Sequence, residues 1–111
     1  MRLLIFIAIV LFSLNAQASP SVCKKNFPYH FVTADGTLGL YQGTGGAWWY
    51  PCSISQEKNG VTTESCKAAL SSYLSAKAQG KPITFSFMGS CDEINSSKST
   101  TKGFLWFGVY W

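Results

Sequence analysis

The chain has 111 residues, 47% hydrophobic, 15% aromatic and only 13% charged, with four cysteines and a formal charge of +4. That length leaves room for one domain and, without a glycine-rich phosphate motif, excludes a dinucleotide-binding or P-loop enzyme. The mild basicity has no cluster, Lys24-Lys25 being the only adjacent pair, which argues against nucleic acid as a partner.

Arg2, the apolar run at residues 3–14 and Ala16-Gln17-Ala18 read as a secretory signal peptide over residues 1–18, to be excluded from fold reasoning. The run is too short to span a bilayer, which needs about 20 apolar residues, so no integral membrane association is expected. Cleavage leaves one expected domain at residues 19–111, with eight lysines against five carboxylates and fifteen of the seventeen aromatic rings. Export makes the expected location secreted or periplasmic, an oxidising compartment in which Cys23, Cys52, Cys66 and Cys91 should form disulfides. Four cysteines allow three connectivities, and the sequence leaves all three open.

After a short lead-in carrying Cys23, residues 29–42 read as a hairpin. Asp35-Gly36 sits between two β-prone runs, where a tight turn needs positive φ. Gly39 in the second arm suggests a bulge or a close approach by another segment. A glycine-rich break at 43–46 precedes a third strand from Ala47 to about Ile54, with Pro51 marking it as an edge or bulged strand. Apolar positions at 66, 69, 70, 73, 74 and 77 then follow helical spacing. Thr62 or Thr63 suits the N-cap, Glu64 the first turn and Gly80 the C-terminal cap, placing a helix at about 63–79. Residues 83–88 alternate as a fourth strand with Ile83, Phe85 and Phe87 on one side. Residues 89–102 read as a Ser/Thr/Lys-rich loop, and residues 104–111 as a fifth strand. Both period-2 sets of that last strand are apolar, Phe104, Trp106, Gly108 and Tyr110 against Leu105, Phe107, Val109 and Trp111, so both faces should be covered.

No enzyme assembles from these residues. The lone His30 has no nucleophile paired with it by a recognised pattern; a small hydrolase would need it as the base. Asp92-Glu93 are adjacent and cannot face each other across a cleft. One histidine cannot supply a metal site, and no cofactor is expected. The aromatic set is more informative. Trp48, Trp49 and Tyr50 are consecutive on a strand, so at least one points outward unless something covers it. Such rings could stack on a ligand or form a subunit interface. The outward helix positions Ala68, Ser71, Ser72, Ser75, Ala76 and Gln79 are small and uncharged, which suits either close packing in a homo-oligomer or a tolerant surface.

The order β-β-β-α-β-β, mainly β with one helix and stapled by disulfides, matches an OB-fold-like five-stranded barrel. Residues 65–87, Ser-Cys-Lys-Ala-Ala-Leu-Ser-Ser-Tyr-Leu-Ser-Ala-Lys-Ala-Gln-Gly-Lys-Pro-Ile-Thr-Phe-Ser-Phe, sharpen the comparison. They resemble the helix, turn and following strand of B subunits of the subtilase-cytotoxin and typhoid-toxin type, and of small secreted bacterial proteins related to them. The resemblance implies an OB-fold that forms rings and, in the toxin subunits, binds cell-surface glycans while holding a catalytic A subunit. It carries over no sugar-binding residue. The expectation is a secreted, non-enzymatic, oligomeric module that binds a glycan or a partner protein through Trp48, Trp49 and Tyr50. The alternative is a periplasmic or secreted inhibitor or accessory protein that acts on a protein partner.

Overall fold

The structure, a computed structural model, describes residues 21–87 and 89–109. The expected signal peptide, Met88, Tyr110 and Trp111 lie outside the described residues. Six strands and two helices follow in the order β1 (Ser21–Lys25), β2 (His30–Val32), β3 (Thr37–Tyr41), β4 (Trp48–Ser53), α1 (Thr63–Ala78), β5 (Ile83–Phe87), α2 (Cys91–Ile94) and β6 (Phe104–Val109). The fold is therefore mainly β, but the described strands form two three-stranded antiparallel sheets, β1-β5-β6 and β2-β3-β4, rather than one closed five-stranded barrel.

The hairpin forms as its sequence predicts. Residues 33–36 turn between β2 and β3, with Gly36 at φ +89° and its amide donating to the Thr33 carbonyl at 2.9 Å. Gly39 fulfils both expectations for it. The β3–β4 register slips between Leu38 and Leu40, setting Tyr50 and Pro51 opposite the single Gly39. A Cβ on Gly39 would lie 2.7 Å from the Phe31 ring. Pro51 thus sits in a bulge, where its missing donor costs no ladder bond.

Helix α1 is capped at Thr62, whose side chain accepts from the Ser65 amide at 3.2 Å. Its end is closed by the Lys81 amide donating to the Ala76 carbonyl at 2.9 Å, with Gly80 at φ +67°. The buried face is Cys66, Ala69, Tyr73 and Ala76, rotated from the expected one: Ala76, read as outward, is buried, and Leu74, read as inward, is 45% exposed. α1 packs against β6, β4 and β5.

Three further differences have local causes. The lead-in containing Cys23 is a strand, β1, because Cys23 faces inward opposite Phe85 while Val22 and Lys24 face out. The Ser/Thr/Lys-rich loop contains α2, nucleated by a capping box between Ser90 and Glu93. In β6 a bulge between Ser86 and Phe87 of its partner strand breaks the expected alternation. Phe104 and Phe107 both pack on the core, whereas Leu105 and Trp106 are both exposed.

The disulfides pair Cys23 with Cys91 and Cys52 with Cys66. The first ties β1 to α2; the second ties β4 to α1. Between the sheets lies a core of Phe27, Leu38, Leu40, Trp49, Phe85 and Phe87, closed by Tyr73 of α1 and Ile94 of α2. Two segments join the sheets. Residues 26–29 run directly from β1 into β2, and Thr100, ahead of β6, bridges in parallel to Trp49 of β4. Gln42 fixes the second junction, its buried amide nitrogen lying 3.1–3.2 Å from the carbonyls of Glu93, Ser96 and Lys98.

Candidate functional site

Strand alternation sets Trp48 and Tyr50 on the outer face of the β2-β3-β4 sheet and Trp49 on the inner one. Trp49 is fully buried, in ring contact with Phe27, Phe85, Phe87, Phe104 and Phe107. Its indole N–H donates to the Lys102 carbonyl at 2.6 Å. Of the three consecutive rings, Trp49 is therefore a core residue and leaves the candidate binding set. A ring with every face against other rings and its polar atom satisfied has nothing to offer a ligand.

The other two belong to a larger group. Tyr29, Tyr41, Trp48, Phe31 and Tyr50 form a continuous ladder, with successive ring centroids at 5.8, 5.2, 4.6 and 6.0 Å. Gly39 makes the ladder possible, since Phe31 lies over the space a side chain there would fill. Tyr29 is 65% exposed and the remaining four rings are half-buried. Tyr29, Phe31 and Tyr41 were not singled out by sequence reasoning. The signal was the period-2 spacing of Tyr29 and Phe31 in one hairpin arm and of Gly39 and Tyr41 in the other.

Polar groups border the ladder at both ends. Beyond Phe31 and Gly39 the same face continues as Thr33, Thr37 and Ser53, with Thr37 paired to Ser53; Thr33 is exposed, and Thr37 and Ser53 are buried. Lys58 donates to the Thr37 hydroxyl at 3.2 Å. The Asp35 carboxyl is held below the usual carboxylate range by hydrogen bonds from the Thr33 hydroxyl and the Thr37 amide. Beside Tyr50, the Asn59 side-chain amide donates to the Tyr50 carbonyl at 3.1 Å. At the far end the Lys77 ammonium lies 5.9 Å from the Tyr29 ring centroid and donates to the Pro28 carbonyl.

The remaining candidates are placed apart from this face. His30 packs edge-on against Tyr73, with ring centroids 5.0 Å apart. Asp92 and Glu93 occupy the first turn of α2, where carboxylates favour the helix N-terminus. Both Glu93 carboxylate oxygens lie 2.9 Å from the Lys102 ammonium. On α1, Ala68, Ser71, Ser75 and Gln79 are exposed and Ser72 is half-buried. Among the described residues no group of three or more His, Cys, Asp or Glu side chains could hold a metal ion, and no helix is long and apolar enough to cross a membrane. Comparison with protein-family models, curated proteins and solved structures finds no match.

Proposed function

We propose that this chain is a secreted or periplasmic, non-enzymatic binding module that takes a saccharide on the outer face of the β2-β3-β4 sheet. The observation that carries this reading is the ring ladder from Tyr29 to Tyr50, Tyr29 exposed and the other rings half-buried, bordered by the exposed Thr33 hydroxyl, the Asn59 amide and the Lys58 and Lys77 ammonium groups. Sugar rings present apolar C–H faces and polar edges, which suits rigid aromatic platforms flanked by hydrogen-bonding groups. An architecture of OB type supports the same reading. Counting β1 and β2 as one strand interrupted at residues 26–29 restores the order β-β-β-α-β-β, and the Thr100 bridge links β4 to the lead-in of β6. The resemblance of residues 65–87 to toxin B subunits points to glycan as the ligand.

A glycan array probed with the wild type and with Trp48→Ala tests this. Saturable signal from the wild type, lost in Trp48→Ala while the thermal transition is retained, is the expected result. An array without signal, or signal indifferent to Trp48→Ala and Tyr41→Ala, would remove the saccharide reading.

A second reading, self-association, has its own observation. Leu105 and Trp106 project from β6 at 59% and 46% exposure, and Val22 at 65% lies in the same cross-strand row as Trp106 through Ser86. We place a second copy of this chain against that apolar row, with the small-residue face of α1 (Ala68, Ser71, Ser72, Ser75, Gln79) as the second candidate contact.

A further inference from the structure

The ring ladder has a length and a shape that narrow what it can take. Tyr29, Tyr41 and Trp48 stand in one row across the sheet, from the entry to β2, from β3 and from β4. The Tyr41 amide donates to the Tyr29 carbonyl at 2.9 Å, and Tyr41 is paired with Trp48. Phe31 fills the space over Gly39 and carries the ladder on to Tyr50. Successive centroids are 4.6–6.0 Å apart, a step comparable with the width of one pyranose ring.

Phe31, Tyr41, Trp48 and Tyr50 are half-buried, so none of the four offers a whole face. A single sugar would cover parts of one or two rings; apolar contact accumulates only for a ligand that passes over several. Successive rings are also tilted, by 38°, 50°, 57° and 59° along the ladder. A flat crystalline polysaccharide surface would meet such rings one at a time, whereas a single chain can rotate at each glycosidic bond and follow them. The bordering polar groups stand at opposite ends, Lys77 beside Tyr29, and Thr33, Lys58 and Asn59 beyond Phe31 and Tyr50. A ligand that meets both ends must span every step between them. Tyr29 is 65% exposed, so its end of the ladder is open and a chain can run past it.

We propose that the ladder binds an internal stretch of one linear polysaccharide chain, several consecutive pyranose units laid across the strands, rather than a terminal sugar or a crystalline surface. The inference rests on the saccharide reading of the same face and specifies its ligand. Tyr29, Tyr41 and Trp48 each take part of a sugar's apolar C–H face, and the phenolic hydroxyls of Tyr29, Tyr41 and Tyr50 supply hydrogen-bonding groups along the way. Affinity is therefore a sum of modest contacts that only chain length collects.

Calorimetric titration of the disulfide-intact protein with cello- and malto-oligosaccharides of one to six units tests this. The two series share a linear pyranose chain and differ in linkage, so the one that binds identifies it. In that series affinity should rise about two- to ten-fold with each added unit, over about the first three, and then level off. Tyr29→Ala shortens the ladder from its exposed end. It should stop the rise about one unit earlier and leave the thermal transition in place. Equal affinity for the monosaccharide and the hexasaccharide, or a rise unchanged in Tyr29→Ala, would overturn the chain while the saccharide reading stood. So would retention on crystalline cellulose that the soluble hexasaccharide does not compete, or array signal from chain ends with no response to either series. A glycan array without signal would remove the saccharide reading, and this inference with it.

Discussion

Trp48 and Trp49 are neighbours in sequence and opposites in environment, so their substitutions separate binding from folding. Trp49→Ala removes the ring around which Phe27, Phe85, Phe87, Phe104 and Phe107 pack and strands the Lys102 carbonyl that its indole satisfies. The expected loss is about 3–5 kcal/mol, read as a lowered urea midpoint. Trp48→Ala, on the half-buried outer face, should cost about 1 kcal/mol and act on ligand. Equal losses for the two would refute the assignment of faces. Glu93 gives a second prediction at this scale. The Lys102 hydrogen bond, aided by the Ser90 amide, holds its carboxyl below the ordinary glutamate value. The folded protein therefore favours the charged form. The contribution is complete above the unfolded pKa of about 4.3 and disappears as pH falls through the lower folded value. Urea midpoints from pH 2 to 7 should show the wild type ahead of Glu93→Gln at neutral pH, with the two converging at the acid end. A constant gap across that range would exclude the carboxylate as its source.

At the scale of elements, the two disulfides should differ in cost and in accessibility. Cys23–Cys91 spans 68 residues and Cys52–Cys66 spans 14, so the chain-entropy model assigns them about 4 and about 3 kcal/mol respectively. Cys52 and Cys66 are fully buried, whereas Cys91 is half-buried. Mild reduction followed by alkylation and peptide mass analysis should therefore open Cys23–Cys91 first; prior loss of Cys52–Cys66 would contradict the burial.

The same elements show what the sequence made legible. The hairpin, α1 and β5 were readable because each carries a local signal: Asp35-Gly36, a Thr62 cap with a Gly80 stop, and the Ile83, Phe85, Phe87 alternation. β6 was readable as a strand but not in phase. An all-apolar run has no polar residue to mark which side is out, so the bulge that exposes both Leu105 and Trp106 left no trace. The rotation of α1 has a similar cause, since Ala76 carries too little apolar surface to outweigh Leu74 in a spacing pattern. β1 was hidden because its pairing with β5 is non-local and Cys23 is its single inward apolar side chain. The Ser90-to-Glu93 spacing that caps α2 was visible in the sequence and would have found that helix. Of the candidate site, Trp48 and Tyr50 were legible; the ladder was not, because it depends on how the arms of two hairpins register across Gly39.

For the whole molecule, the apolar surface left uncovered by the fold decides whether the chain acts alone. Leu105, Trp106 and Val22 lie together on the outside of the β1-β5-β6 sheet, and contiguous exposed apolar side chains mark interaction surfaces. This group lies on a different sheet from the ring ladder, so self-association there leaves the proposed ligand face open. The outward face of α1, by contrast, offers Ala68, Ser71, Ser75 and Gln79, which permit close approach but supply no large anchor. Interface energy concentrates in buried aromatic anchors, so the β6 contact should dominate. Light scattering on residues 19–111 is expected to give a multiple of the monomer mass. Leu105→Glu with Trp106→Glu should return it to monomer with an unchanged far-ultraviolet spectrum, while Ser71→Glu with Ser75→Glu should shift the dissociation midpoint less. A helix-face variant that dissociates the assembly while the β6 variant does not would move the interface to α1. A monomer mass at every concentration would reject self-association altogether.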